Sequence, residues 1–98
     1  MDMKNLEQAH LWVTGRVQGV NFRYATERKA ASLGISGWVK NTEDGRVEIW
    51  AEGEGANLDA FLAWCHEGPP AAVVREVTVK FRKKIETIVT KGFEIRYG

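Results

Sequence analysis

The hydrophobic period of this chain switches repeatedly between the two-residue repeat of a strand and the longer repeat of a helix, and few folds accommodate that order of switches. Across residues 9–17, Leu11, Val13 and Val17 fall on one side of a period-two pattern, with His10, Trp12 and Thr14 on the other. Residues 20–33 contain no proline and place Phe22, Ala25, Ala30 and Leu33 at near-helical spacing before Gly34, which predicts a first helix with a left-handed stop. Two β-rich runs, 35–41 and 46–53, flank Thr42-Glu43-Asp44-Gly45, whose Asp-Gly pair supplies hairpin turn chemistry. Leu58, Phe61, Leu62 and Cys65 then stand at i, i+3, i+4 and i+7, with Asn57 as the expected cap and Gly68-Pro69-Pro70 ending the helix. Val77, Val79 and Phe81 alternate with polar residues as a fourth strand, and Phe93, Ile95 and Tyr97 repeat that alternation near the C-terminus.

The order is βαββαβ followed by an additional C-terminal strand. It predicts an α+β, ferredoxin-like sandwich, an antiparallel sheet with two helices on one face. No repeat or linker-like stretch interrupts it, and a chain of 98 residues closes one hydrophobic core, so residues 1–98 read as a single domain. Strand parity directs Leu11, Val13, Val39, Val47 and Ile49 toward the helices and Trp12, Trp38 and Trp50 to the opposite, open face. A single β-bulge would reverse that parity for everything beyond it.

Charge narrows the functional classes. Fourteen Lys and Arg against thirteen Asp and Glu leave a net +1, too balanced for the broad attraction used in non-specific nucleic-acid binding. Any anion site must therefore be local. The single cysteine, Cys65, has no partner in the chain and fits a reducing compartment. No apolar run approaches the roughly 20 residues of a membrane span, and the N-terminal residues are polar, so the expected location is the cytoplasm.

One loop is suited to such a site. Gly15-Arg16-Val17-Gln18-Gly19-Val20-Asn21-Phe22-Arg23 lies between the first strand and the first helix. Free N–H groups at a helix start, curled inward by a glycine-containing loop, form a concave anion cradle. Arg23, about one turn into the helix, can bring its planar fork over the same anion and pair two phosphate oxygens. Spacing alone also fits an ordinary tight turn with solvated arginines. The loop matches neither the P-loop, which ends in Gly-Lys-Ser/Thr, nor the dinucleotide fingerprint.

Gly15-Arg16-Val17-Gln18-Gly19-Val20, followed by Phe22-Arg23, resembles the signature of the acylphosphatase family. Gly37-Trp38-Val39-Lys40-Asn41-Thr42, running on to Asp44-Gly45-Arg46-Val47-Glu48, is similar to that family's second signature, and Gly92-Phe93-Glu94-Ile95-Arg96-Tyr97 resembles its usual ending. The likeness spans nearly the whole chain. It implies a hydrolase of acyl phosphates in which Arg23 holds the phosphate and Asn41 positions the attacking water. The main-chain amides of Gln18, Gly19, Val20, Asn21 and Phe22 would complete the phosphate cradle. Asn21 departs from the small or hydrophobic residue more usual there, a change expected to affect loop rigidity or acyl-group preference. The expected partners are a small acyl phosphate and inorganic phosphate, with no metal or other cofactor, no nucleic acid and no membrane, and the protein is expected to be a monomer.

The remaining chemistry-bearing residues have plainer readings. His10, His66 and Cys65 lack the paired spacings of zinc sites, and Cys65 completes an apolar helical stripe instead of serving as a nucleophile. Arg82-Lys83-Lys84 reads as a solvated strand end, and Glu43 and Asp44 as turn residues. The competing functional class is a non-catalytic module of the same architecture that senses anions or binds RNA, because aromatics on an open sheet face also form base-stacking platforms.

Overall fold

The computed structural model describes residues 5–97. Its elements follow the order β1 (Leu6–Arg16), α1 (Phe22–Ser32), β2 (Ser36–Asn41), β3 (Val47–Glu54), α2 (Gly55–Cys65), β4 (Val73–Lys84) and β5 (Phe93–Arg96). The strands form one five-stranded sheet in the order β4-β1-β3-β2-β5. The pairs β1·β3, β1·β4 and β2·β3 are antiparallel, as the pattern predicts, whereas β5 joins the free edge of β2 in parallel and makes the sheet mixed. Helix α1 packs over β2 and β5, and α2 packs over β1 and β3.

The parity expectation holds in the central strands. Leu11, Val13, Val39, Val47 and Ile49 are fully buried beneath the helices. Leu58, Phe61 and Cys65 of α2 meet them from above, also fully buried, and each large apolar side chain so placed contributes roughly 1.5–3 kcal/mol. Burial pushes the Cys65 thiol up, so it stays protonated and packs as a small apolar group. On the other face His10 lies among Trp12, Trp50 and Trp38 at ring distances of 4.4, 5.4 and 6.1 Å, with Nε2 2.7 Å from the Glu48 carboxylate.

Four boundaries or contacts differ from the sequence expectation. Helix α1 begins at Phe22 and not at residue 20, because Asn21 takes a left-handed φ of 68° and Val20 turns into the core. Helix α2 begins at Gly55, whose N–H donates to the Asn5 carbonyl, so Asn57 lies inside the helix and is not its cap. The alternation of Val77, Val79 and Phe81 is broken by a register shift opposite His10/Leu11, which sends Phe81 to the tryptophan face, 5.6 Å from the Trp50 ring. Arg82 is no solvated end: it binds Glu7 at 2.6 Å, Asp59 at 2.7 Å and the Gly55 carbonyl at 3.2 Å, tying β4 to the start of α2.

The segment between β4 and β5 crosses the open face and is fastened by a buried carboxylate. Glu52 accepts from Gln8 Nε2 at 2.8 Å, Thr90 N at 2.9 Å and Thr90 Oγ1 at 2.5 Å. This anchor fixes the approach of β5 to β2. Glu52→Ala would strand the Thr90 and Gln8 donors, so urea unfolding should report a loss of roughly 1–3 kcal/mol, and an unchanged midpoint would refute the anchor.

Candidate active site

Two glycines, one near the end of β1 and one in the β1–α1 loop, have different tasks. A Cβ on Gly15 would stand 2.2 Å from the Val73 carbonyl oxygen, so glycine is what allows β4 to pass this close at the second register shift of the edge pair. Gly19 instead supplies a φ of 74° in open space, turning the chain back toward the helix. Asn21 continues the turn, and the first hydrogen bond of α1 runs from Ala25 N–H to the Asn21 carbonyl at 3.1 Å. The N–H groups of Phe22, Arg23 and Tyr24 therefore lie outside the helical ladder, and the positive end of the helix dipole adds to their pull on an anion.

Facing this loop is the β2–β3 hairpin. Asn41 is the last residue of β2 and pairs with Val47. Beyond it Thr42 N–H donates to the Arg46 carbonyl at 2.9 Å, Arg46 N–H donates to Thr42 Oγ1 at 3.0 Å, and the Thr42 hydroxyl donates to Asp44. The Thr42 hydroxyl, and then Arg46, hold the Asp44 carboxyl below its ordinary value. Asp44 is thus committed to the turn, as expected of a non-catalytic residue. Gln18 joins loop to hairpin: its Nε2 donates to the Thr42 carbonyl at 2.9 Å and to the Arg46 carbonyl at 2.8 Å.

These elements enclose a cavity of about 280 Å³ lined by Val17, Gly19, Asn21, Phe22, Arg23, Tyr24, Asn41, Ile95 and Tyr97. Arg23 and Asn41, eighteen positions apart in the chain, share it. Gly19, Asn21 and Phe22 of the expected cradle line it too. Gln18 and Val20 do not: the Gln18 side chain is spent on the hairpin, and Val20 is buried in the core.

Two electrostatic features stand out. Among the described residues Arg23 takes part in no ion pair, and its guanidinium lies over the Tyr97 ring at 4.8 Å. Attraction between the cation and the ring face favours this placement of the guanidinium. Among the described residues Asn41 Oδ1 is buried and finds no hydrogen-bond partner. An orphaned buried acceptor costs roughly 1–3 kcal/mol, and its position in the cavity wall suits it to accept from a bound molecule.

Tyr97 was expected to continue the strand alternation of Phe93 and Ile95, yet it leaves the sheet, is 77% exposed and covers Arg23. No local pattern marks that contact, because it exists only once β5 lies parallel beside β2. Among the described residues no group of three or more His, Cys, Asp or Glu is placed to hold a metal ion. Guanidinium, amide N–H and carboxamide are a donor set for an anion.

Known proteins resemble this chain over most of its length. The family model described as Acylphosphatase matches residues 9–95. An acylphosphatase of Nostoc sp. is 50% identical over 91 residues, covering 93% of this chain and 87% of the relative. One from Marinobacter nauticus is 59% identical over 71 residues, covering 72% and 77%. The crystal structure of acylphosphatase from Bacillus subtilis superposes with a TM-score of 0.86 at 38% identity, covering 93% of this chain and 99% of that one. These matches place the chain in the acylphosphatase family.

Proposed function

We propose that this protein hydrolyses acyl phosphates to a carboxylate and inorganic phosphate, with Arg23 and the loop amides of Gly19, Asn21 and Phe22 holding the phosphoryl group and Asn41 orienting water. Membership of the family supports the reaction. The observation that carries the residue roles is that Asn41, whose buried Oδ1 has no hydrogen-bond partner among the described residues, lines the same cavity as Arg23.

An acyl phosphate has a good leaving group, because the departing carboxylate is a weak base and needs little protonation. Catalysis then reduces to holding the phosphoryl group, offsetting charge on its oxygens and aligning water opposite the leaving oxygen. Arg23 supplies a charged fork, and the helix-start amides supply fixed dipoles. Asn41 Oδ1 accepts a hydrogen bond from water but is not basic enough to take its proton. As the water oxygen bonds to phosphorus the bond to the acyl oxygen breaks, its electron pair leaves with the carboxylate, and the water proton passes to a phosphate oxygen.

The anion-binding donor set supports metal independence. The internally satisfied core supports a monomer, and a lone, buried, protonated Cys65 supports a cytoplasmic setting. Among the described residues no helix is long and apolar enough to cross a membrane. The RNA-binding or anion-sensing alternative is not favoured, since the matched relatives named above are acylphosphatases.

Benzoyl phosphate hydrolysis should continue in excess chelator, and loss of turnover on chelation would contradict metal independence. Arg23→Ala should raise the inhibition constant for inorganic phosphate by roughly tenfold or more, the scale of a lost charge-assisted hydrogen bond. Asn41→Ala should leave that constant within a few-fold while kcat falls on the order of 10²-fold or more. Full turnover in Asn41→Ala would end the water-positioning assignment. Gln18→Ala should lower kcat/KM by about tenfold through misplacement of the loop against the hairpin, with the far-ultraviolet spectrum unchanged.

A further inference from the structure

A second cavity of about 460 Å³ adjoins the first and shares Asn21 with it. Its walls are the exposed flank of α1, with Arg28 and Lys29, and the end of α2 with the turn beyond it, with Trp64, Pro69 and Pro70. Trp64 rests on Phe22 at a ring distance of 5.7 Å, so the back wall of this groove is built on a residue that lines the phosphate cavity. The groove therefore borders the proposed reaction centre at Asn21 and Phe22.

In-line displacement gives the groove a direction. Water held by Asn41 attacks from one side of phosphorus, and the acyl group departs from the other. Asn41 lines the first cavity and a separate one beside Thr42 and Glu43, but not the groove, which meets the first cavity at Asn21. That is where an acyl group leaving the phosphate on the side away from Asn41 would lie.

Charge defines what the groove would select. Asn21, Ala25, Arg28, Lys29 and Ser32 fall on one flank of α1, so Arg28 stands about 10 Å along the axis from Asn21, and helical side chains tilt back toward the N-terminus. No Asp or Glu lines the groove, and among the described residues neither Arg28 nor Lys29 takes part in an ion pair. A flat aromatic wall, two prolines and two unpaired cations fit an acyl group that is apolar near the carbonyl and anionic at its far end.

Resting on the acyl phosphate hydrolase reading above, we infer that the groove between α1 and the α2–β4 turn is the acyl subsite, and that Arg28 and Lys29 favour acyl phosphates whose acyl group carries a second negative charge. The test compares kcat/KM for 4-carboxybenzoyl phosphate with that for its neutral near-isostere, 4-carbamoylbenzoyl phosphate, each normalised to spontaneous hydrolysis. The wild-type protein should favour the carboxylate roughly threefold to tenfold at low ionic strength, as expected for partly exposed ion pairs, and less in added salt. In Arg28→Gln/Lys29→Gln the ratio should fall to near one, with circular dichroism unchanged. A wild-type ratio near one, or a preference that survives the double substitution, overturns the subsite. Failure to hydrolyse even benzoyl phosphate would overturn the hydrolase reading, and this inference with it.

Discussion

The site depends on a junction between two turns that are distant in sequence, closed by the Gln18 carboxamide. Its Nε2 donates at once to the Thr42 and Arg46 carbonyls, so the loop that presents main-chain N–H groups is tied directly to the hairpin that presents Asn41. Phosphoryl transfer by positioning alone tolerates little slack, since no covalent step or strong acid compensates for misalignment. The hairpin answers with its own bracing, in which Thr42, Asp44 and Arg46 satisfy one another around a tight turn.

The remainder of the fold serves that junction. Helix α1 is seated by Phe22, Thr26 and Ala30 against the core, which sets the direction in which its free amides and Arg23 point. The sheet supplies the other wall: β2 ends at Asn41, and β5 lies beside it to bring Ile95 and Tyr97 into the cavity. The parallel pairing of β5 with β2 requires the chain to return across the open face after β4. Glu52, fully buried and bonded to Gln8 and Thr90, secures that return.

Most of the scaffold was legible because its elements obey simple periods. The alternation around Leu11, Val13, Val47 and Ile49 and the stripe of Leu58, Phe61 and Cys65 identify the core faces before any tertiary contact is known. The two motif blocks likewise single out Arg23 and Asn41, which the fold brings to one cavity. What escaped were features that no local pattern encodes. The extra residue in β4 that turns Phe81 to the other face depends on register with β1. The stack of Tyr97 on Arg23 depends on which sheet edge β5 joins. Gln18 was expected to contribute its amide to the cradle, and its side chain proved to be the tie between loop and hairpin, because the hairpin carbonyls become neighbours only in the folded chain.

In the proposed function, helix-start amides and one guanidinium hold a phosphate beside the Asn41 carboxamide. A titration of the isotopically labelled protein with inorganic phosphate, followed by two-dimensional amide NMR, addresses it residue by residue. Saturable shifts should concentrate in the main-chain amides of Gly19, Asn21, Phe22 and Arg23, the Arg23 side-chain Nε–H and the Asn41 side chain. Shifts centred on another surface, or none in this loop up to phosphate concentrations that perturb the protein generally, would contradict the account.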